Sequence, residues 1–149
     1  MEKYVEYIEG VNIVELSKAL DTTIPKKKNI GSKLLYAVVI SKILKKCLYD
    51  GMERKIDDSS ISVWISHKRF VVEFSFLNLT VRTFENHLTD LKTAGIIRFT
   101  QVQTRRGSKS FYTFSEFGIS LFSERYRDLY FKQIENWRSC EDVEPPPQS

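Results

Sequence analysis

The segment from Thr80 to Asn86 carries side chains of the types that recognise the edges of nucleic-acid bases. An arginine guanidinium pairs with O6 and N7 of guanine, and an asparagine amide pairs with N6 and N7 of adenine, which makes Arg82 and Asn86 candidate base contacts. Apolar residues recur around them at spacings of three and four, which predicts a helix with one buried face. The buried set is Val81, Phe84, Leu88 and Leu91, and the outer set is Arg82, Thr83, Asn86, Thr89 and Asp90. The outer face is predicted to fit a DNA groove; the alternative is an ordinary solvated helix face.

A basic turn follows this helix. Gly95 is predicted to end the helix in a left-handed conformation, and Ile96–Gln103 and Lys109–Phe114 have the composition of paired strands. The turn between them, Arg105-Arg106-Gly107-Ser108, suits contact with phosphates or with the minor groove. The alternative is a polar hairpin turn without a ligand. The predicted DNA contacts are Thr80, Arg82, Thr83, Asn86, His87, Arg98, Arg105, Arg106, Ser108 and Lys109.

Positive charge is clustered along the chain. The formal net charge is +4, but residues 24–55 contain nine basic and two acidic side chains, a net +7, and residues 98–109 contain four basic side chains and no acidic one, a net +4. If folding brings these clusters to one surface, they attract a polyanion and make its binding dependent on salt. The alternative is that the lysines of residues 24–55 only solvate a helix and a loop.

The composition argues against several other classes of protein. With 149 residues the chain is expected to form one domain. The longest apolar run, near residues 34–40, is too short to span a membrane and the acidic N-terminus does not resemble a signal peptide, so we predict a cytoplasmic protein without membrane contact. Cys47 and Cys140 are too few for a disulfide framework, and His67 and His87 have no metal-ligand spacing. No cofactor, metal or enzymatic activity is predicted, because no phosphate-binding loop or catalytic set is recognisable.

The remaining elements are predicted from apolar spacing and capping residues. Residues 1–23 are expected to form one or two short helices broken at Gly10, with Asn12 and Glu15 as a capping box. Residues 24–29 form a polar loop, and Ser32 is predicted to cap a central helix, Lys33–Tyr49, that ends at Asp50-Gly51. Three further elements are predicted: a short strand over Ile61–Ile65, a helix or strand over Phe70–Leu77, and a long helix that Ser115 caps.

The order helix, strand, helix, helix, strand, turn, strand, helix predicts a mostly helical α+β fold of the winged helix-turn-helix type, with a short β-wing and a long C-terminal helix. The predicted organisation is an N-terminal extension (1–23), a winged-helix domain (24–114), a C-terminal helix (115–138) and a disordered tail (139–149).

Four phrases in residues 24–114 resemble the N-terminal domains of plasmid and phage replication initiators. They are Ile24-Pro25, Lys33 to Ala37, Leu79 to Phe84 and Leu91 to Ile97. The resemblance implies binding to origin DNA, with Arg82, Thr83 and Asn86 as base or phosphate contacts. Thr113 to Gly118 instead resembles the wing exit of MarR- and PadR-type transcriptional regulators, whose later helices dimerise.

The C-terminal helix has more apolar surface than one small domain is expected to cover. The protein is therefore predicted to form a homodimer through this helix. The predicted dimer residues are Phe122, Tyr126, Leu129, Tyr130, Ile134 and Trp137. The predicted partner is double-stranded DNA, bound by a replication-initiator-like or regulatory protein of a mobile element. The alternatives are a MarR- or PadR-type transcriptional regulator, a protein-interaction module, and a single-strand-binding module with Phe99, Phe111 and Tyr112 beside the basic turn.

Overall fold

The helices and strands confirm the prediction of a mostly helical α+β fold. The computed structural model describes residues 6–23, 30–49 and 54–142. Its helices are α1 (Ile13–Thr23), α2 (Ile30–Tyr49), α3 (His67–Glu73), α4 (Val81–Thr93), α5 (Glu116–Ser120) and α6 (Glu124–Asp142). Its strands are β1 (Tyr7–Ile8), β2 (Val11–Asn12), β3 (Arg54–Ile56), β4 (Ile61–Trp64), β5 (Ile97–Thr104) and β6 (Gly107–Phe114). A 3-10 turn, Ser75–Leu77, joins α3 to α4. The predicted loop at 24–29 and the predicted helix end at Asp50-Gly51 lie outside the described residues.

Helix α2 lies at the centre of the core, as its apolar residues predicted. Its buried residues include Tyr36, Ala37, Val39, Ile40, Ile43, Leu44, Cys47 and Leu48. The helix begins at Ile30, so the prediction that Ser32 is its N-cap is wrong: Ser32 lies inside the first turn. The neighbours of α2 include α1, β4 and α6, and one apolar cluster contains residues from all of them. Of the described helices, none is long and apolar enough to cross a membrane.

An antiparallel sheet in the order β3-β4-β6-β5 packs one face against the helices. Alternate residues of a strand point to opposite faces, and the register pairs Val63 with Tyr112 and Ile97 with Phe114 on the face that is buried. We call this the inner face. The other face, the outer face, carries the cross-strand pair Trp64 and Phe111. Strand β3 was not predicted, because its three residues are too few to show a period.

The segment from α3 to the β5–β6 hairpin has the predicted elements. Residues 67–73 are helical, which decides between the helix and strand alternatives for this segment. Helix α4 ends before Gly95, whose φ of +74° is the predicted left-handed conformation. The two strands of the hairpin occur within about one or two residues of their predicted bounds.

The N-terminal segment differs from its prediction in part. Asn12 Oδ1 accepts a hydrogen bond from the N–H of Glu15 at 3.1 Å, which confirms Asn12 as the N-cap of α1. The N–H of Asn12, which a complete capping box would use, donates instead to Leu121 O. The prediction of a helix before Gly10 is wrong for residues 6–9, because β1 and β2 form a short hairpin whose turn contains Gly10. Strand β2 also forms a bridge to the C-terminal region, between Val11 and Phe122.

The predicted long C-terminal helix is two helices. Ser115 caps α5, as predicted, by accepting a hydrogen bond from the N–H of Gly118 at 3.0 Å. The prediction of one continuous helix is wrong, because the chain turns at Leu121 to Ser123, where backbone groups bond to the N-terminal hairpin. The N–H of Asn12 donates to Leu121 O at 2.7 Å, and the N–H of Ser123 donates to Gly10 O at 2.8 Å. The disordered tail was predicted to begin at residue 139, but α6 continues to Asp142; residues 143–149 lie outside the described residues.

Three of the six predicted dimer residues belong to the core of their own chain. Phe122 and Tyr130 are 0% exposed and Ile134 is 3% exposed. The prediction that these three form a surface between subunits is therefore wrong, since α6 folds back on its own sheet and on α2. Tyr126 and Leu129 are partly buried against the same core, and Trp137 is partly exposed.

The Tyr130 hydroxyl forms a hydrogen bond between α6 and the first residue of β4. Its oxygen accepts a hydrogen bond from the N–H of Ile61 at 2.8 Å. Burial raises the pKa of Tyr130 to about 12, although the bond to Ile61 acts in the opposite direction. The phenol is therefore neutral at physiological pH and remains in the core.

We predict that Tyr130→Phe lowers the free energy of unfolding by about 1–3 kcal/mol at neutral pH, because the buried N–H of Ile61 loses its acceptor. The raised pKa of Tyr130 contributes stability that is complete below pH 10, the ordinary pKa of tyrosine, and is lost as the pH rises through about 12. The variant should therefore lose stability less steeply between these values. Urea unfolding at neutral and alkaline pH measures both effects, with Tyr49→Phe as the control, since Tyr49 is exposed. Equal stability of the two variants would contradict the assigned role.

Candidate nucleic-acid interface

Aromatic packing fixes which side of α4 faces outwards. Phe84, on the buried side, stacks on Phe70 of α3 with ring centroids 4.2 Å apart and planes 9° apart. Leu88 and Leu91 continue this buried side. Arg82 and Asn86 lie on the opposite side and are exposed, as the apolar spacing predicted.

The hydroxyl groups of α4 are used within the helix. Thr80 Oγ1 accepts a hydrogen bond from the N–H of Thr83 at 3.0 Å and lies 2.8 Å from Thr83 Oγ1. Thr89 Oγ1 donates to the carbonyl of Glu85 at 3.0 Å. The side chains of Arg82 and Asn86, by contrast, make no hydrogen bond or ion pair with any residue that the structure describes, so their side-chain donors and acceptors are available to a ligand.

His87 does not belong to the exposed set, and the prediction that it contacts DNA is wrong. It is 7% exposed, its Nδ1 donates to Thr83 O at 2.7 Å, and its ring centroid lies 4.3 Å from that of Tyr36 on α2. Asp90, predicted on the outer face, accepts a hydrogen bond from the Tyr36 hydroxyl and is partly buried. Both residues lie at the margin of the apolar stripe, where a neighbouring helix covers them.

His67 connects α3, α4 and the β5–β6 hairpin. Its Nδ1 lies 2.9 Å from Glu85 Oε2 on α4, and its Nε2 lies 2.9 Å from the Tyr112 hydroxyl on β6. Because a carboxylate only accepts hydrogen bonds, Nδ1 carries a proton, and in the neutral ring Nε2 accepts from Tyr112. Burial, helped by the charge of Glu85, raises the pKa of Tyr112 to about 12, so this phenol keeps the proton that it donates. His67 thus holds α4 at a fixed position beside the inner face of the hairpin.

The hairpin tip, Arg105-Arg106, projects two exposed cations from the end of the sheet. Thr104 Oγ1 donates to Gly107 O at 2.6 Å and accepts from the N–H of Arg106 at 3.2 Å. Gly107 has a φ of +111°, a conformation that side chains with a Cβ rarely adopt, so glycine closes the turn at low cost. Ser108 accepts a hydrogen bond from Gln103 Nε2 at 2.8 Å, which orders the strand ends below the tip.

The predicted DNA contacts divide between two faces of the sheet. Helix α4 lies on the inner side, where Lys92 Nζ is 4.0 Å from the centroid of Phe99. Arg98 pairs in register with Thr113, which is two residues after Phe111 on β6, and Lys109 is two residues before Phe111. Residues two apart on a strand point to the same face, so both cations lie on the outer face. Arg98, which lies beside Glu116 and Phe131, is therefore not brought together with Arg82 and Asn86, although all were predicted as one set. Lys109 lies over Trp64, whose ring also lines the groove beside Val81 and Glu85 of α4.

Two exposed cations on α3, Lys68 and Arg69, were missed by the sequence analysis. Lys68 lines a groove of about 390 Å³ between α3, α4 and the hairpin, whose other walls include Val81, Glu85 and Ser108. The signal available in the sequence was weak: two adjacent cations at the start of the helix before α4. Within the described residues, no group of three His, Cys, Asp or Glu side chains is placed to hold a metal ion.

Comparisons with known proteins give one structural similarity. No protein-family model matches the chain, and the search of curated proteins found no match. A solved structure described as the N-terminal domain of a DNA binding protein is similar with a TM-score of 0.46 and 16% identity, over 97% of this chain and 91% of that chain.

We predict that His67→Ala lowers the free energy of unfolding by about 1–3 kcal/mol, because two hydrogen bonds of about 0.5–1.5 kcal/mol each are lost. Tyr112→Phe should add less to His67→Ala than it costs alone, since both changes remove the same bond. Urea unfolding of the two single variants and the double variant measures this coupling, and Lys68→Ala is the exposed control. Strict additivity would show that the His67–Tyr112 bond contributes nothing.

Proposed function

We propose that the protein binds double-stranded DNA as a winged helix, with α4 in the major groove and the hairpin tip on the phosphate backbone or in the minor groove. The observation that carries this proposal is the pair Arg82 and Asn86. Both are exposed on the outer side of α4 and have no partner among the described residues, although α4 is held firmly by Phe70 and His67 from behind. A rigid helix that presents a guanidinium and an amide one turn apart suits the reading of base edges.

The order of elements supports the proposal. Helix α2 and strand β4 precede α3 and α4, and the β5–β6 hairpin follows them. In a winged helix these elements place the second helix of the α3–α4 pair in the groove and leave the hairpin beside it, which is the arrangement that the replication-initiator resemblance implies.

The distribution of charge also supports DNA as the ligand. Lys68, Arg69 and Arg82 are exposed on α3 and α4, and the hairpin tip adds two further cations. Glu85, the acidic residue among them on α4, is engaged by His67 at 2.9 Å. Helix N-termini add partial positive charge, so the start of α4 at Thr80 favours a nearby phosphate.

A role in replication initiation or in transcriptional regulation of a mobile element, with a homodimer on the DNA, extends this proposal. Selection of bound sites from random duplexes tests it, because a two-fold symmetric dimer should select an inverted repeat whose half-sites lie about 34 Å or a multiple apart. Selected sites without repeat symmetry, together with a monomer in sedimentation, would contradict the dimer.

For the hairpin tip, we predict that Arg105→Ala with Arg106→Ala weakens duplex binding and flattens its salt dependence. Each lost phosphate contact should reduce the slope of log K against log salt by about 0.9. Binding isotherms over a salt series measure this slope. The matched control is Arg125→Ala with Lys132→Ala, which removes two exposed cations from α6. The tip assignment would be overturned by an unchanged slope in a folded variant.

For α4, we predict that Arg82→Ala or Asn86→Ala costs about 1–3 kcal/mol of affinity for the selected site and less for random duplex DNA. The reason is that a base contact is lost only where the right base is present. Competition of labelled selected DNA by unlabelled random DNA measures the difference, and Thr93→Ala, at the far end of the same helix, is the control. Equal losses on both DNAs would reassign the residue to phosphate contact.

A further inference from the structure

The outer face of the sheet is a second surface that is rich in positive charge. Its strand positions carry the cations Lys55, Arg98 and Lys109, the rings of Trp64 and Phe111, and otherwise serine, threonine, valine and glycine. None of the outward-facing residues on the four strands of this sheet, all within the described residues, carries a carboxylate. By register this face is opposite the inner face, where Lys92 of α4 meets Phe99. At its edge, Trp64 also lines the groove beside Val81 and Glu85 of α4.

Two neighbouring aromatic rings on this face have cations beside them. Trp64 and Phe111 are direct cross-strand neighbours on β4 and β6, and both are partly exposed. Lys109 Nζ lies 4.5 Å from the Trp64 centroid, Lys55 Nζ lies 4.9 Å from the Phe111 centroid, and Arg69 Cζ of α3 lies 5.8 Å from Trp64. The register thus places the two rings on adjacent strands of one face, with cations beside them.

We propose that the outer face binds single-stranded nucleic acid, with unpaired bases stacked on Trp64 and Phe111 and with their phosphates neutralised by Lys55, Lys109 and Arg98. Base stacking on aromatic residues and a positively charged track are the general means by which proteins hold single strands, and an open sheet is a common platform for them. A duplex presents only phosphates and groove edges to a flat face, because its bases are already stacked on one another. The rings therefore select an unpaired strand, and the absence of carboxylates from the outward strand positions fits a polyanion.

This inference does not depend on the proposed duplex binding, because Trp64 and Phe111 carry it, whereas Arg82 and Asn86 carry the duplex proposal. Arg69 of α3 is the cation that lies near both sets. Lysine side chains are flexible, so the ammonium groups that now lie over the rings can move to phosphates when bases take the ring faces. The order of groups from Lys55 and Phe111 to Trp64 and Lys109 marks the path of the bound nucleic acid across the sheet, between β3 and the tip of the hairpin.

Tryptophan fluorescence tests the proposal directly. The chain contains two tryptophans, so Trp137→Phe leaves Trp64 as the reporter. In this background we expect oligothymidylate of about 15 nucleotides, a length that single-strand-binding domains cover, to quench Trp64 saturably at low salt. The same titration with oligouridylate distinguishes DNA from RNA as the preferred strand, and saturable quenching by either supports the proposal.

The decisive variant is Phe111→Leu, which keeps an apolar side chain in β6 but removes the ring. Its affinity for oligothymidylate should fall about tenfold, whereas Phe76→Leu, which changes an exposed aromatic between α3 and α4, should leave it unchanged. Lys55→Gln with Lys109→Gln should reduce the salt slope by about 0.7 per lost contact. Circular dichroism confirms that each variant is folded.

Each outcome separates the two proposals. The outer-face proposal is overturned if oligothymidylate leaves Trp64 fluorescence unchanged, if Phe111→Leu binds as tightly as the parent protein, or if Arg82→Ala with Asn86→Ala abolishes single-strand binding. Retention of oligothymidylate binding by that double variant supports it. Loss of duplex binding in the Arg82→Ala, Asn86→Ala variant tests the proposed duplex-binding function and leaves the outer-face proposal unaffected.

Discussion

Burial of α2 on nearly every side is the constraint on which the rest of the structure depends. Tyr36, Ile40, Ile43 and Leu44 are all inaccessible to solvent, so each neighbouring element must turn an apolar face towards this helix. Tyr36 also contacts His87 and Asp90 of α4. The central helix thus fixes the rotation of α4 about its own axis, and with it the side chains that α4 presents outside.

The alternation of strand residues is the second constraint. It separates an inner face, where Val63 and Tyr112 join the core, from an outer face, where Trp64 and Phe111 meet cations. Charge that is clustered in the sequence of residues 98–109 is thereby divided: Arg98 and Lys109 belong to the outer face, whereas Arg105 and Arg106 lie at the tip. The modest net charge of the chain therefore includes cations on both of the surfaces proposed to bind polyanions.

Hydrogen bonds between residues distant in sequence fix the position of these surfaces relative to the core. His67 joins the helix pair to the hairpin through Glu85 and Tyr112. Tyr130 joins α6 to the start of β4, and buried bonds of this kind are costly to break because a donor would remain without an acceptor. The C-terminal helix is therefore part of the domain that carries both proposed surfaces, rather than an appended arm.

The sequence by itself determined the features that depend on neighbours along the chain: the apolar stripe that turns Arg82 and Asn86 outwards, the caps at Asn12 and Ser115, and the left-handed Gly95. These arise from helical period and local hydrogen bonds, which a short segment contains in full. Only the tertiary structure decided that His87 is buried under Tyr36, that the C-terminal helix breaks where Leu121 and Ser123 bond to the N-terminal hairpin, and that Phe122 and Tyr130 lie in the core rather than between subunits. Each of these outcomes depends on a partner that is distant in sequence, and no local pattern encodes which distant residue will cover a given position.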